Sequence, residues 1–270
     1  GATNYETTDL ATIIERVKLF DADEIIYVVD KRQELHFEQV FRCARKTGLV
    51  TDDTGLVFVG FGTMNGKDGK PFKTRDGGVL RLETLISEIN EAVYNRIMEN
   101  REMEEDEARQ VAAMVGLSAL KYGDLSNQAS KDYIFDVDRF TSFEGNTGPY
   151  ILYSIVRIKS VLNRFAGEGG NPDSCNSIIA PANDTEVNVM LQLVRYNEMI
   201  EQAYTDNAPH KVCQYIYELA DAFNSFYHGN KILSEPDEDR KKSWIALLKL
   251  VKDVLVQCID LLGFGAPEKM

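Results

Sequence analysis

The sequence has little of what marks secreted, metal-binding and membrane proteins. Its four cysteines, at positions 43, 175, 213 and 258, lie far apart without a CxxC spacing. They therefore predict neither a zinc site nor a disulfide framework. No stretch approaches the roughly 18 consecutive apolar residues that span a bilayer, and the first residues have neither a basic nor an apolar signal region. We therefore expect a cytoplasmic protein without a structural metal ion.

Positive charge is scarce as well. The chain has 30 Lys and Arg residues against 43 Asp and Glu residues, for a formal net charge of −13. Binding to nucleic acid by bulk attraction is not expected, because phosphate contacts need clustered Lys and Arg. Any RNA partner must therefore contact a local basic surface. With 44% hydrophobic and 27% charged residues, the 270-residue chain has a globular composition, sufficient for one large domain or two of ordinary size.

Residues 24–61 have the pattern of a β-α-β unit. Residues 24–29 and 56–59 are short apolar strand candidates. A strand, a crossover helix and a second strand imply parallel pairing, with any ligand at the carboxyl ends of the strands. Between the strands, apolar residues recur roughly at helical spacing until Gly48, and they are Leu35, Phe37, Val40, Phe41 and Ala44.

The rest of the chain is mostly helical in pattern. Residues 62–78 are rich in Gly, Lys, Asp and Thr and predict a loop, whereas helical periodicity begins after Leu80. We place a domain boundary near residue 143, which gives domains 1–143 and 144–270. In the second domain, two apolar stripes predict long amphipathic helices of a bundle. The stripes are Val212, Tyr215, Ile216, Leu219, Phe223 and Phe226, and Trp244, Leu248, Val251, Leu255, Cys258 and Leu262.

Short segments spread over nearly the whole chain carry a family resemblance. They are residues 1–11, 26–30, 33–37, 62–64, 73–77, 120–126, 132–136, 142–150, 223–227 and 266–270. In this order they resemble the arginyl-tRNA synthetases, which are class I aminoacyl-tRNA synthetases. The resemblance implies an α/β plus all-α protein. Its first part is the C-terminal half of a Rossmann-type class I catalytic domain, and its second is an α-helical bundle, the anticodon-binding (DALR) domain.

The resemblance also implies an activity. An arginine-tRNA ligase activates arginine with ATP and Mg²⁺, without a tightly bound cofactor, and transfers it to tRNA(Arg). The His-Ile-Gly-His-type motif of the first catalytic half is absent from the sequence. We therefore interpret the chain as a C-terminal fragment that is inactive alone and self-associates through an incomplete sheet, whereas the full-length enzyme is a monomer. The alternative is a noncatalytic tRNA-binding or protein-interaction module.

Three residues are candidates for the arginine pocket. Tyr5 and Asp9 are four residues apart and share one face of a helix. A guanidinium is a planar fork of donors that prefers a carboxylate, so Asp9 is the candidate for that contact. The resemblance places Tyr5, Asp9 and Gln33 in the pocket. The alternative from spacing alone is that Asp9 caps a helix and that Tyr5 is a half-buried aromatic residue.

The resemblance assigns an ATP loop to Gly62, Met64, Lys73, Thr74 and Arg75, a degenerate form of the class I signature. Its cations would stabilise negative charge on the phosphates during adenylate formation. Thr74 stands where many class I enzymes have the second lysine, so either Lys73 or Arg75 is the phosphate contact. As an isolated motif, a basic loop that contains glycine is more often solvated surface than a phosphate site.

The resemblance and the chemistry of RNA recognition together indicate an anticodon surface in the second domain. Unpaired bases are read by stacking and edge hydrogen bonds, with about 1 to 3 kcal/mol for each stacked base. Arg157 and Tyr217 are the candidates on the helices, and Met270 is the candidate at the C-terminus. Tyr215 belongs to an apolar stripe and is expected in the core. His36 is expected to be a polar residue near the strand edge, not a general base.

Overall fold

The computed structural model describes residues 3–70, 81–100 and 103–270. These residues form two compact units. The first, which we call the α/β unit, comprises residues 3–70 and 129–134. The second, which we call the helical unit, comprises the described residues of 81–128 and 135–270. Within the described ranges, no helix is both long and apolar enough to cross a membrane.

The α/β unit contains the predicted β-α-β arrangement. Strands β1 and β2 pair in parallel, from Glu24 opposite Gly55 to Asp30 opposite Phe61. A short 3-10 turn over Lys31–Gln33 connects β1 to α2. The short strands β3 and β4 also pair in parallel. The elements are α1 (Tyr5–Phe20), β1 (Glu24–Asp30), α2 (Glu34–Lys46), β2 (Gly55–Phe61), β3 (Met64–Asn65) and β4 (Tyr133–Ile134).

One face of the β1–β2 sheet is covered by helices, and the other is open. Tyr27 is buried on the covered face, with its ring 4.8 Å from that of Phe37 in α2. On the opposite face, Ile26 is 40% exposed and Val28 is 62% exposed. Leu35 departs from the predicted stripe, since it is exposed. It stands two residues before Phe37, and residues at that spacing lie on different faces of a helix.

The helical unit has eight helices among the described residues, and its core lies between α4, α6, α9 and α10. Both predicted stripes are buried, and none of their residues is more than 6% exposed. The predicted bundle is thereby confirmed. The helices are α3 (Leu82–Asn100), α4 (Glu105–Leu125), α5 (Val137–Phe140), α6 (Gly148–Gly167), α7 (Asp184–Val194), α8 (Tyr196–Thr205), α9 (Pro209–Gly229) and α10 (Glu238–Leu261).

The two units interleave along the chain. Helices α3 and α4 belong to the helical unit, although they precede the predicted boundary near residue 143. Residues 129–134 belong to the α/β unit. The division into domains 1–143 and 144–270 therefore describes the order of sequence motifs, and as a domain boundary it stays a prediction.

Candidate functional site

The start of α1 positions two of the arginine-pocket candidates. The side chain of Asn4 accepts a hydrogen bond from the backbone N–H of Thr7 at 3.1 Å and caps the helix. Asp9 is therefore not the cap, and it lies one turn after Tyr5 on α1. Tyr5 is 84% exposed, so it is not the half-buried aromatic residue of the alternative interpretation.

Asp9 is held by a residue of the second helix. Its Oδ2 atom lies 2.7 Å from Nε2 of His36, in the first turn of α2. The His36 ring also packs edge-on against Phe37, with 5.0 Å between the ring centroids. Gln33, the last residue of the 3-10 turn, is exposed three positions before His36. The structure thus places Asp9 against the first turn of α2, which begins directly after Gln33.

Charged side chains cluster where β1 ends. Both carboxylate oxygens of Asp30 accept hydrogen bonds from the Arg32 guanidinium, at 2.8 and 2.6 Å. These bonds and one from the Arg32 backbone N–H lower the pKa of Asp30 to about 2. Asp132 Oδ1 accepts from the Thr63 N–H at 2.8 Å and from Lys31 Nζ at 2.9 Å. These two contacts, the backbone bond first, lower the pKa of Asp132.

The root of the predicted ATP loop is fixed by the segment 129–134. The N–H of Gly62 donates to the Ala129 carbonyl at 2.8 Å, and Met64 in β3 pairs with Tyr133 in β4. A Cβ atom at Gly62 would lie 2.3 Å from the Lys131 carbonyl oxygen, so only glycine permits this approach. The other predicted loop residues, Lys73, Thr74 and Arg75, lie outside the described residues.

Helix α6 carries Arg157, one of the three anticodon candidates of the helical unit. Thr147 caps it by accepting the N–H of Tyr150 at 3.2 Å, and Pro149 follows in the first turn, where its fixed φ suits a helix start. A Cβ atom at Gly148 would lie 2.3 Å from the Ser118 carbonyl oxygen, so this glycine lets α6 approach α4 closely. The start of α6 is thereby fixed in position.

Arg157 is the centre of a connected polar network. Its guanidinium lies over the ring of Tyr153 at 4.5 Å and over that of Tyr227 at 5.0 Å. It donates to Asn224 Oδ1 at 2.5 Å and to the Tyr153 hydroxyl at 2.9 Å. Asn224 is only 7% exposed, and its Nδ2 donates to Tyr150 and to Ser154. Arg157 is therefore held in one orientation while part of it stays exposed.

Tyr217 joins the same surface through Tyr150. The two ring centroids are 5.8 Å apart, and Tyr217 is half-buried at the edge of the core. It is therefore packed on one side and accessible on the other. Tyr215, two residues earlier, is 2% exposed, which confirms its predicted place in the core.

Met270 lines a cavity of about 440 Å³. Phe143 and Tyr153 supply aromatic walls, and Arg96 and Lys269 supply positive charge. Tyr153 also stacks with Arg157, so the cavity and the polar network share a residue. Arg157 is thus connected to Tyr217 through Asn224 and Tyr150, and to the cavity at Met270 through Tyr153. Because these residues are the predicted anticodon contacts, we call this set the RNA face.

Several residues of these sites were not selected as site residues from the sequence. Tyr153 stands one helical turn before Arg157, and this spacing predicts that the two side chains are in contact. Asn224 lies inside the segment 223–227 that carried the resemblance. His36 and Phe143 also lie inside such segments, 33–37 and 142–150, but nothing in the sequence indicates which residues they contact, because their partners are distant along the chain.

Two sequence models of protein families match the chain. The catalytic domain of tRNA synthetases class I (R) matches residues 1–137, and the DALR anticodon binding domain matches residues 151–270. The chain belongs to the class I tRNA synthetases (R). The resemblance read from the sequence motifs and the predicted α/β plus all-α fold class are both confirmed.

Curated members of the class I tRNA synthetases (R) are similar to this chain over its whole length. It is 60% identical to an arginine–tRNA ligase of Agathobacter rectalis and 58% identical to one of Alkaliphilus oremlandii. Each alignment covers 100% of this chain and 46% of the relative. The chain thus spans about half the length of the curated relatives that it matches.

Solved structures of class I tRNA synthetases (R) have the same fold. The arginyl-tRNA synthetase of Plasmodium falciparum matches with a TM-score of 0.83 and 27% identity, over 100% of this chain and 45% of that one. The Thermus thermophilus arginyl-tRNA synthetase matches with a TM-score of 0.79 and 22% identity, over 100% of this chain and 50% of that one.

Proposed function

We propose that the protein containing this chain is an arginine-tRNA ligase. It activates arginine with ATP and Mg²⁺ and transfers the arginyl group to tRNA(Arg). The observation that carries the proposal is the succession of the class I (R) catalytic domain and the DALR domain along the chain. This chain contributes part of the arginine pocket, the ATP loop and the anticodon-binding surface. The protein acts in the cytoplasm, and the full-length form is a monomer.

The arginine pocket is built around the Asp9 carboxylate. A guanidinium needs acceptors with negative charge, and Asp9 is accessible enough to supply one while His36 holds it. The amide oxygen of Gln33 is a further acceptor near the start of α2. The Tyr5 ring, one helical turn before Asp9, is available to pack against the aliphatic part of the substrate.

ATP binds as its Mg²⁺ complex near the carboxyl ends of β1 and β2. Gly62 and Met64 form the anchored root of the loop, because the segment 129–134 holds both. Either Lys73 or Arg75, on the two sides of the uncharged Thr74, supplies the positive charge for the phosphates. Such fixed charges stabilise the negative charge that builds up in adenylate formation.

The anticodon is bound at the RNA face. Arg157 is exposed in part and oriented by Asn224, so it is prepared to contact a phosphate or a base edge. Tyr217 offers a ring for stacking, and the cavity at Met270 has aromatic walls that suit an unpaired base. Arg96 and Arg157 supply positive charge at this surface, which RNA binding by an acidic protein requires locally.

Binding of the purified chain to arginine tRNA tests the RNA assignment. We expect the native anticodon to be preferred over an altered one, and the preference to survive an increase in salt. Arg157→Ala should weaken binding by about 10-fold or more, the range for a hydrogen-bonded charge. Arg42→Ala, an exposed arginine of α2 in the α/β unit, is the matched control. Equal and salt-labile binding of both tRNAs would contradict the proposal.

A chimera tests the ligase activity. This chain replaces the matching 46% of the Agathobacter rectalis arginine–tRNA ligase, to which it is 60% identical. We expect the chimera to charge arginine tRNA with arginine and not with lysine. A chimera that binds the tRNA but charges it with no amino acid would support the alternative, a noncatalytic tRNA-binding module.

Sedimentation of the chain alone tests its association. The open face of the β1–β2 sheet exposes Ile26 and Val28, so we propose that the isolated chain self-associates. Replacing both residues by threonine should return it to a monomer. The chimera, in contrast, should sediment as a monomer from the outset.

A further inference from the structure

The contact between Asp9 and His36 connects two helices that are distant in the sequence. Nε2 of His36 lies 2.7 Å from Oδ2 of Asp9, across 27 residues of chain. Both side chains are only about one quarter exposed, at 24% for His36 and 28% for Asp9. A contact of this kind is stronger than one at a fully exposed surface, because water competes with it less.

The contact leaves the two oxygens of Asp9 unequal. Oδ2 faces His36, whereas Oδ1 accepts no hydrogen bond from the described residues. A guanidinium can bind a carboxylate through both oxygens as a fork or through one oxygen alone. Because Oδ2 already accepts from His36, Oδ1 is the oxygen left entirely free for a substrate, and Oδ2 keeps one further acceptor position.

We propose that His36 is a positioning residue for the arginine substrate. It acts through Asp9, fixing the carboxylate so that Oδ1 is presented to the guanidinium, and it does not touch the substrate itself. The proposal rests on the proposed function, in which Asp9 binds arginine. The guanidinium donors that Asp9 does not accept turn to other acceptors, such as the amide oxygen of Gln33.

Packing supports this orienting role. The His36 ring lies edge-on to Phe37, which is 4% exposed and belongs to the core of the α/β unit. Asp9 lies four residues before Ile13, which is fully buried in the same core. Both partners are therefore mounted on rigid helices, which limits the positions that the carboxylate can take.

The simpler explanation is that the pair only joins α1 to α2. A joining role and a positioning role predict different results. Loss of a joint lowers stability and affects all substrates alike. Loss of positioning raises KM for arginine selectively, and a side chain that restores the donor at the same place should reverse it.

The test uses the chimera described above with two variants at one position. His36→Leu removes the donor, and His36→Gln keeps an N–H near the place of Nε2. We expect His36→Leu to raise KM and Kd for arginine by about 10-fold or more, the range for a hydrogen bond to a charged group. KM for ATP and kcat should change little, and His36→Gln should recover most of the loss.

Leu10→Ala is the matched stability control, because Leu10 packs against the core of the α/β unit next to Asp9. It should lower the melting temperature without raising KM for arginine. The inference is overturned if His36→Leu leaves KM and Kd unchanged, or if Leu10→Ala raises them equally. A chimera that binds no arginine with His36 intact overturns the proposed function, and this inference with it.

Discussion

The candidate residues of the helical unit are held in a network, whereas those of the α/β unit are mostly exposed. Arg157 lies between two tyrosine rings and is hydrogen-bonded to the buried Asn224. Tyr5 in the α/β unit is 84% exposed, and Asp9 is held by His36. The proposed RNA face is therefore preorganised by contacts within this chain, whereas the residues proposed for the arginine pocket are more open to solvent.

The hydrophobic core of the helical unit is also larger than that of the α/β unit. The helical unit buries a continuous set of side chains from α4, α6, α9 and α10. The α/β unit buries a much smaller set, and its sheet is covered on one face. Since stability grows with the apolar area that is buried, we expect the helical unit to be the more stable one.

The largest expected effect concerns this difference in cores. Phe223 in α9 is fully buried, so Phe223→Ala should lower the free energy of unfolding by about 3 to 5 kcal/mol. Val28→Ala, on the open face of the sheet, should change it by less than about 1 kcal/mol in samples dilute enough to keep the chain monomeric. Urea unfolding followed by circular dichroism measures both. A large effect of Val28→Ala would show that the open face is covered in solution.

The second effect concerns the network. Asn224→Ala leaves Tyr150, Ser154 and Arg157 without their shared partner, so we expect a loss of stability of about 1 to 3 kcal/mol. It should also weaken tRNA binding, because Arg157 loses its orientation. Asn163→Ala, an exposed asparagine of α6, is the control. If tRNA binding by the two variants is equal, Asn224 does not organise the RNA face.

A third prediction separates stacking from hydrogen bonding at Tyr217. Tyr217→Ala should weaken tRNA binding by about 1 to 3 kcal/mol, as expected for the loss of one stacked base. Tyr217→Phe keeps the ring and should bind nearly as well as the unchanged chain. Tyr204→Ala serves as the control, since Tyr204 is 79% exposed on α8. Filter binding with the same tRNA compares the three, and equal losses in all would contradict a specific role.

The smallest effect is a pH dependence in the α/β unit. Hydrogen bonds from Arg32 lower the pKa of Asp30 to about 2. Because this folded-state pKa is below the usual value of about 3.9, the pair stabilises the fold above pH 4 and ceases to do so as the pH falls towards 2. Carboxyl NMR should show the Asp30 pKa rising towards its usual value in Arg32→Met. Asp132, bound by Thr63 and Lys31, should keep its lowered pKa.

Much of the fold could be predicted from the sequence because its signals are local. The apolar stripes of α9 and α10 repeat at helical spacing, and the β-α-β unit is marked by two apolar runs around a helix that ends near Gly48. Gly48 has a φ of +67°, which explains why a glycine stands there. The prediction for Leu35 is wrong, because a residue two positions before Phe37 lies on a different side of the helix from the buried stripe.

The candidate sites were less predictable because their contacts are not local. His36 and Asp9 are 27 residues apart, and Arg157 and Asn224 are 67 residues apart. No periodic spacing in the sequence indicates that the members of such a pair are in contact. The type of each residue therefore suggests a function, but its contact partner cannot be predicted. Three assignments therefore stay predictions. They are the arginine pocket at Tyr5, Asp9 and Gln33, the ATP loop and the anticodon residues.

Two lysines of the helical unit have ammonium groups that are hydrogen-bonded to backbone carbonyls within the fold. Lys159 Nζ donates to the carbonyls of Ala266 and Pro267, and Lys249 Nζ donates to the Pro172 carbonyl at 2.8 Å. Their side chains are only 17% and 21% exposed. An amine-reactive reagent should therefore acylate both slowly whether or not tRNA is present. When lysine acylation is used to map the tRNA-binding surface, slow acylation of these two lysines would therefore show that the helical unit is folded. It would not show that tRNA covers them.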